Sequence, residues 1–211
     1  MAKPIDAAVA WAVMIANDDS HGYDQNNRDG PDYDCSSLLC HAWERAGVPV
    51  MSVGGASYTG DMYAGFTRVG FEDVTSRVNF STGAGLAKGD VLLRPGHHTE
   101  MMCDATHTVG AHNNELGGVT GGKTGDQTGD EISVQAYRNK SYVYCLRYPG
   151  GSPIDPAVPP SISKAGSELS LTDGTGRLRM YCYDGVPGIG IMQNGESIYW
   201  DFETLRQLLE R

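Results

Sequence analysis

The chain has 211 residues, 40% hydrophobic and 20% charged, and a formal net charge of −10. That length holds one sizeable domain, or one domain with a small appendage, without disulfide staples. The acidic balance and the lack of a basic patch with interleaved aromatics exclude a general attraction to nucleic-acid phosphates. No run approaches the ~18 apolar residues a membrane span needs, so neither a nucleic-acid partner nor stable membrane insertion is expected.

Met1-Ala2-Lys3-Pro4 leads into an amphipathic segment, not into a charged leader with an apolar core and a cleavage site. Synthesis in a cytoplasm, without a signal peptide, is therefore expected. Ala8/Val9, Ala12/Val13 and Ala16 recur at helical spacing and predict a helix over 4–17, with Pro4 tolerated in its first turn. Residues 18–34 are rich in Asp, Asn and Gly and read as a loop. A second helix is expected to begin at Cys35 or Ser36, with Leu38/Leu39, Ala42/Trp43 and Ala46 as its apolar stripe and Gly47 as its stop.

Residues 50–58 are glycine-rich and ambiguous, and 59–70 can hold a short helix. From Gly89-Asp90 onward the pattern turns to strands, at 91–94, 98–103, 107–112, 132–137 and 142–148, with Pro95-Gly96 as the first turn. Helices followed by an antiparallel meander give an α+β domain over residues 1–148. Within it, 117–130 is glycine-rich and repeats Thr-Gly-Asp, which reads as a surface loop. Asp126 and Asp130 supply hard oxygens there, but their spacing matches no calcium-loop code.

Residues 149–163 are a Pro/Gly-rich linker. Residues 164–211 follow as a small β-rich module, with hairpin-turn signals at Asp173-Gly174, Asp184-Gly185 and Asn194-Gly195 and a terminal helix from about Asp201. Tyr181, Tyr183, Tyr199 and Trp200 could stack on sugars or serve as core contacts.

The five cysteines, Cys35, Cys40, Cys103, Cys145 and Cys182, are odd in number and form no Cys-x-x-Cys pair. Free thiols are expected, not a disulfide framework or a zinc site. Cys35 stands apart, because Asp34-Cys35-Ser36-Ser37 lies at a loop-to-helix junction. There the macrodipole and the unpaired first-turn N–H groups favour thiolate over thiol and could hold an oxyanion. A base is then needed, and His97, His98, His107 and His112 are the candidates. On a strand, His98, Glu100 and Met102 share a face opposite Thr99 and Met101, and a hairpin could bring His112 near His98. His97 and His98 point to opposite faces, which disfavours joint metal ligation. His21 and His41 lie outside the pattern.

The segment Arg28-Asp29-Gly30-Pro31-Asp32-Tyr33-Asp34-Cys35-Ser36-Ser37, with Ala10-Trp11 before it and Ala46-Gly47 after it, resembles the nucleophile region of phage lysins. These are peptidoglycan amidases of the papain-like NlpC superfamily. Leu86-Ala87-Lys88-Gly89-Asp90-Val91-Leu92 and Gly96-His97-His98-Thr99 resemble the family's Gly-Asp strand entry and its Gly-His-Thr strand. The likeness covers about residues 5–148 and does not reach the tail.

The resemblance implies a papain-like NlpC-type catalytic domain with Cys35 as nucleophile, His98 as general base and acid, and His112 as the third, orienting residue, a place Asn113 could also fill. It further implies that Asp34 fixes the turn with Ser36 beside it, that Tyr23 supports the oxyanion site, and that no metal or organic cofactor is required. The implied activity is cleavage of a wall amide, either muramoyl–L-alanine or within the stem peptide, after release from the host cytoplasm to the wall. Peptidoglycan would be the partner, with wall glycan or polymer on the C-terminal module. The alternatives are a catalytically inactive wall-binding or virion structural protein, or a cysteine acyltransferase on the same fold.

Overall fold

A computed structural model of the chain describes residues 3–149 throughout and, beyond them, the backbone of five strands. The chain divides into two compact units, Met1–Pro153 and Ile154–Arg211.

The first unit is α+β. Helix α1 (Pro4–Ala16) starts on a first-turn proline and buries Ile5, Ala8, Val9, Ala12 and Ile15, the stripe that helical periodicity dictates. Helix α2 (Cys35–Arg45) starts on a capping box: Asp34 accepts the N–H of Ser37, while the Ser37 hydroxyl accepts the N–H of Asp34. It buries Leu38, Leu39, Ala42 and Trp43. Helix α3 (Met62–Arg68) seats Met62 and Phe66 in the same core.

Six strands form one antiparallel sheet: β1 (Glu72–Asp73), β2 (Val91–Arg94), β3 (His98–Met102), β4 (His107–Ala111), β5 (Ile132–Ala136) and β6 (Tyr144–Arg147), in the order β1-β6-β2-β3-β4-β5. The expected simple meander holds only from β2 to β5. β6 instead crosses back to pair with β2, Val91 opposite Leu146, because Cys145 and Leu146 each supply one face of the sheet with apolar bulk. The two-residue β1 then lies on the outer edge of β6. Its Glu72 and Asp73 are both exposed, so no apolar alternation marks it in the sequence.

The sheet has two apolar faces. Val91, Leu93, Met101, Val109 and Leu146 pack against α1 and α2, while Leu92, Met102, Tyr142 and Cys145 form a smaller cluster with Val74 and Leu86. That second cluster lies on the face of β3 that carries His98 and Glu100.

The second unit holds a hairpin of β7 (Ser161–Ala165) and β8 (Glu168–Thr172) and a three-stranded sheet of β9 (Arg179–Tyr183), β10 (Val186–Gln193) and β11 (Glu196–Asp201). Tyr183 pairs with Val186 and Gln193 with Glu196, on either side of the Asp184-Gly185 and Asn194-Gly195 signals. β7 begins inside the segment read as linker. The terminal helix expected beyond Asp201 and the roles of Tyr181, Tyr183, Tyr199 and Trp200 lie outside the described residues and side chains.

Candidate active site

Asp34 builds the turn that presents Cys35. Its Oδ1 accepts the N–H groups of Ser36 (2.9 Å) and Ser37 (2.7 Å) and the Ser36 hydroxyl (2.8 Å). Its Oδ2 pairs with the Arg28 guanidinium at 3.0 Å, and Arg28 also donates to Ser36 Oγ at 3.0 Å and to the Ser57 carbonyl. The first-turn N–H groups are thus largely committed to a carboxylate.

This reverses one expectation from the sequence. The Cys35 thiol is pushed up to about 11, first by burial and then by the Asp34 charge, against N–H groups of Thr99 and Ser36 that favour the thiolate. Cys35 is only 5% exposed. Desolvation outweighs the helix terminus here because the N-cap anion already occupies the donors. At neutral pH the Cys35 side chain is therefore a neutral thiol.

Thr99, whose N–H favours the Cys35 thiolate, is the residue after His98, so the start of α2 packs against β3 beside Cys35. His98 opens β3, whereas His97 sits exposed in the preceding turn with its N–H bonded to the Arg94 carbonyl at 3.0 Å. His107 lies at the far end of β4, paired with Asp104 at 3.0 Å.

A residue to which the sequence reading gave no role lies at the centre of this cluster. Glu100 is 0% exposed, and its Oε1 faces His98 Nε2 at 3.2 Å, Lys140 Nζ at 2.5 Å and His112 Nδ1 at 3.6 Å. Its Oε2 accepts the Tyr142 hydroxyl at 2.6 Å. Burial alone would raise its carboxyl. Hydrogen bonds from His98, Lys140 and Tyr142, with the Lys140 charge, outweigh that and hold it well below the usual carboxylate range.

An ionised carboxylate only accepts, so His98 Nε2 carries the proton of that hydrogen bond, and in the neutral ring the lone pair is on Nδ1. Gly110 on the neighbouring strand makes room for the cluster: a Cβ there would come within 2.8 Å of Glu100 Cγ.

His112 follows β4, its ring centroid 5.8 Å from that of His98. Burial, then the Lys140 charge, pushes its imidazole down to about 4, so it is neutral at neutral pH. Its Nε2 is buried with no hydrogen-bond partner among the described residues. Asn113 is exposed and, with His112, lines an open cavity of about 440 Å³ that also presents Glu115 and Asp130.

Tyr23 is buried, and the Cys35 sulfur is among the charges that hold its phenol up near 12, after burial itself. Glu131 Oε2 fixes its backbone N–H at 2.9 Å. Gln25 Nε2 donates to the Tyr23 hydroxyl at 3.1 Å, which leaves the hydroxyl hydrogen able to donate elsewhere. The preceding Gly22 is required by close approach, since a Cβ there would meet the Gly125 carbonyl at 2.3 Å. In the glycine-rich loop, Asp126 Oδ1 accepts the N–H of Gly129 at 2.7 Å and so closes its own turn.

A second cavity, of about 320 Å³, opens beside the α2 turn between Arg28, Ser37, Cys40 and Tyr58. The thiol lies where α2 packs on β3, with one cavity beside the α2 turn, and the titratable cluster lies on β3 and just after β4, with the other cavity at His112. A family model described as Endolysin-like domain matches residues 29–109 and 108–158. No curated protein and no solved structure matches the chain.

Proposed function

Because the chain belongs to the endolysin-like domain family, we propose that it is a phage-type peptidoglycan hydrolase that cleaves a wall amide through a thioester on Cys35. The observation that carries this reading is the packing of α2, which Cys35 opens, against β3, which a histidine held by the buried Glu100 carboxylate opens. A papain-like NlpC-type catalytic domain over residues 1–148 accounts for that arrangement.

In the proposed reaction His98 Nδ1 removes the thiol proton as Sγ attacks the amide carbonyl, so the thiol need not be ionised beforehand. The negative charge that forms on the carbonyl oxygen is met by the Tyr23 hydroxyl and the Cys35 backbone N–H. His98 then gives its proton to the leaving nitrogen, the C–N bond breaks and a thioester remains. Water attacks the thioester while His98 takes its proton, and the C–S bond breaks as His98 returns that proton to the leaving sulfur, which gives a carboxylic acid and the thiol. Glu100 stabilises the imidazolium that forms in each half-reaction and sets its tautomer. His112, its ring 5.8 Å from that of His98, packs beside that pair as the third residue, and Asn113 lies at the cavity mouth.

Which amide is cut divides the reading into N-acetylmuramoyl-L-alanine amidase and stem-peptide endopeptidase. Mass spectrometry of products from defined muropeptides tests both. A free lactyl carboxylate with a new L-alanine amine supports the first, a new amine inside the stem supports the second, and reducing ends alone contradict an amide hydrolase. The 164–211 module is assigned to wall polymer binding, which a pull-down of the full chain and a chain truncated after the first unit on intact walls compares.

A further inference from the structure

We propose that His98, Glu100 and His112 form a site for one divalent transition-metal ion of the zinc class, and that its occupancy silences the hydrolase. The silencing half rests on the reading of His98 as base, whereas the binding half does not.

The three side chains each offer one donor atom, and these atoms lie within 4.8 Å of one another. His98 Nε2 is 3.2 Å and His112 Nδ1 is 3.6 Å from Glu100 Oε1. The edge of a tetrahedron with bonds of about 2.0–2.1 Å is roughly 3.3 Å, so each nitrogen already stands from the carboxylate oxygen near the spacing zinc takes. A pair of imidazoles with one carboxylate, leaving a position open, is a donor set that suits zinc and its neighbours.

An independent observation concerns His112 itself. Its side chain is 17% exposed, its Nδ1 stands 3.6 Å from Glu100, beyond hydrogen-bond range, and its Nε2 has no partner among the described residues. Among the described residues neither nitrogen makes a hydrogen bond, so with the ring proton on the buried Nε2 the Nδ1 lone pair is left free to ligate an ion. The cavity of about 440 Å³ at His112 supplies the entry path, and Glu115 and Asp130 on its wall favour a cation.

Lys140 competes for the same carboxylate oxygen. Lys140 Nζ lies 2.5 Å from the same Oε1, and its side chain is 34% exposed, so its ammonium can swing into water when an ion arrives. Once a metal holds the Nε2 lone pair of His98, the one proton of the neutral ring sits on Nδ1. The ring can then take no proton from Cys35.

The test uses the full chain and zinc ion, titrated against a chromophoric chelator, with wild type, Cys35→Ala, His112→Ala, His112→Gln and Lys140→Met compared and their folding checked by circular dichroism. One equivalent is expected in wild type and Cys35→Ala alike. Affinity should fall at least tenfold in both His112 variants and rise several-fold in Lys140→Met. In wall-clearing assays zinc should inhibit wild type, and a chelator should restore it.

Equal affinity in wild type and the folded His112 variants overturns the site. So does binding that disappears with Cys35→Ala while the His112 variants keep it. Wall clearing that zinc restores after chelation overturns the silencing role. Should no chain clear walls under any condition, the hydrolase reading fails while the affinity comparison still decides the site.

Discussion

Glu100 and His98 stand two positions apart on β3, and the buried carboxylate of one accepts the Nε2 proton of the other at 3.2 Å. The arrangement orients an imidazole from its own strand, and it makes Glu100 the proposed positioning residue of the site. Glu100→Gln should lower the turnover of wall fragments roughly 100-fold, about 2.7 kcal/mol of barrier. The acidic limb of the pH–rate profile should move as well, because the amide no longer stabilises the imidazolium. Steady-state kinetics across pH, with a thermal melt as control, check this. An unshifted profile with a lowered melting temperature indicates a structural role only.

The protonation state of Cys35, the proposed nucleophile, can be read from its reactivity. The thiol is pushed up to about 11 by burial and the Asp34 charge. A raised value for an acid means more of the protonated form at any given pH, so at neutrality roughly one part in 10⁴ is thiolate. Alkylation of Cys35 by iodoacetamide, followed by peptide mass mapping, should be slow at pH 7 and rise about tenfold per pH unit toward pH 11. A rate that is already flat near pH 7 contradicts the neutral-thiol resting state.

Asp34 serves the turn more than the chemistry. Its side chain holds two backbone N–H groups, the Ser36 hydroxyl and the Arg28 guanidinium. Asp34→Ala removes the cap and leaves Arg28 without its anion, and should cost about 2–4 kcal/mol of stability in urea denaturation. Asp34→Asn keeps most of the cap and should cost less than half as much. Equal losses in the two variants contradict capping as the cause.

Gly110 tests the crowding around Glu100 from the neighbouring strand. Gly110→Ala introduces a Cβ 2.8 Å from Glu100 Cγ, which must displace the carboxylate or part β3 from β4. A loss of about 1–3 kcal/mol is expected from such overpacking, together with at least a tenfold loss of turnover. A crystal structure of the variant with Glu100 unmoved contradicts the second part.

Much of this framework is legible in the residues. The α2 stripe and the Asp34 turn are local, so spacing and capping chemistry reveal them. Strand β2 announces itself by a short apolar run between Gly89-Asp90 and Pro95-Gly96, and β3 to β6 by short segments of strand-type residues. Glu100 shares a visible face with His98, yet its role depends on Lys140 and Tyr142, forty residues away, which reach it only because β6 returns to β2. That crossover leaves no local signature. The shift of Cys35 is hidden for a related reason. The helix terminus can be read from sequence, but the depth of burial that overrides it is a property of the assembled core.

The rate of wall clearing by Cys35→Ala beside wild type tests the central claim most directly. Loss of roughly 10³-fold or more, with an unchanged thermal midpoint, is the predicted result. Clearing within tenfold of wild type by the folded variant would contradict the thioester mechanism and move the chemistry to other groups.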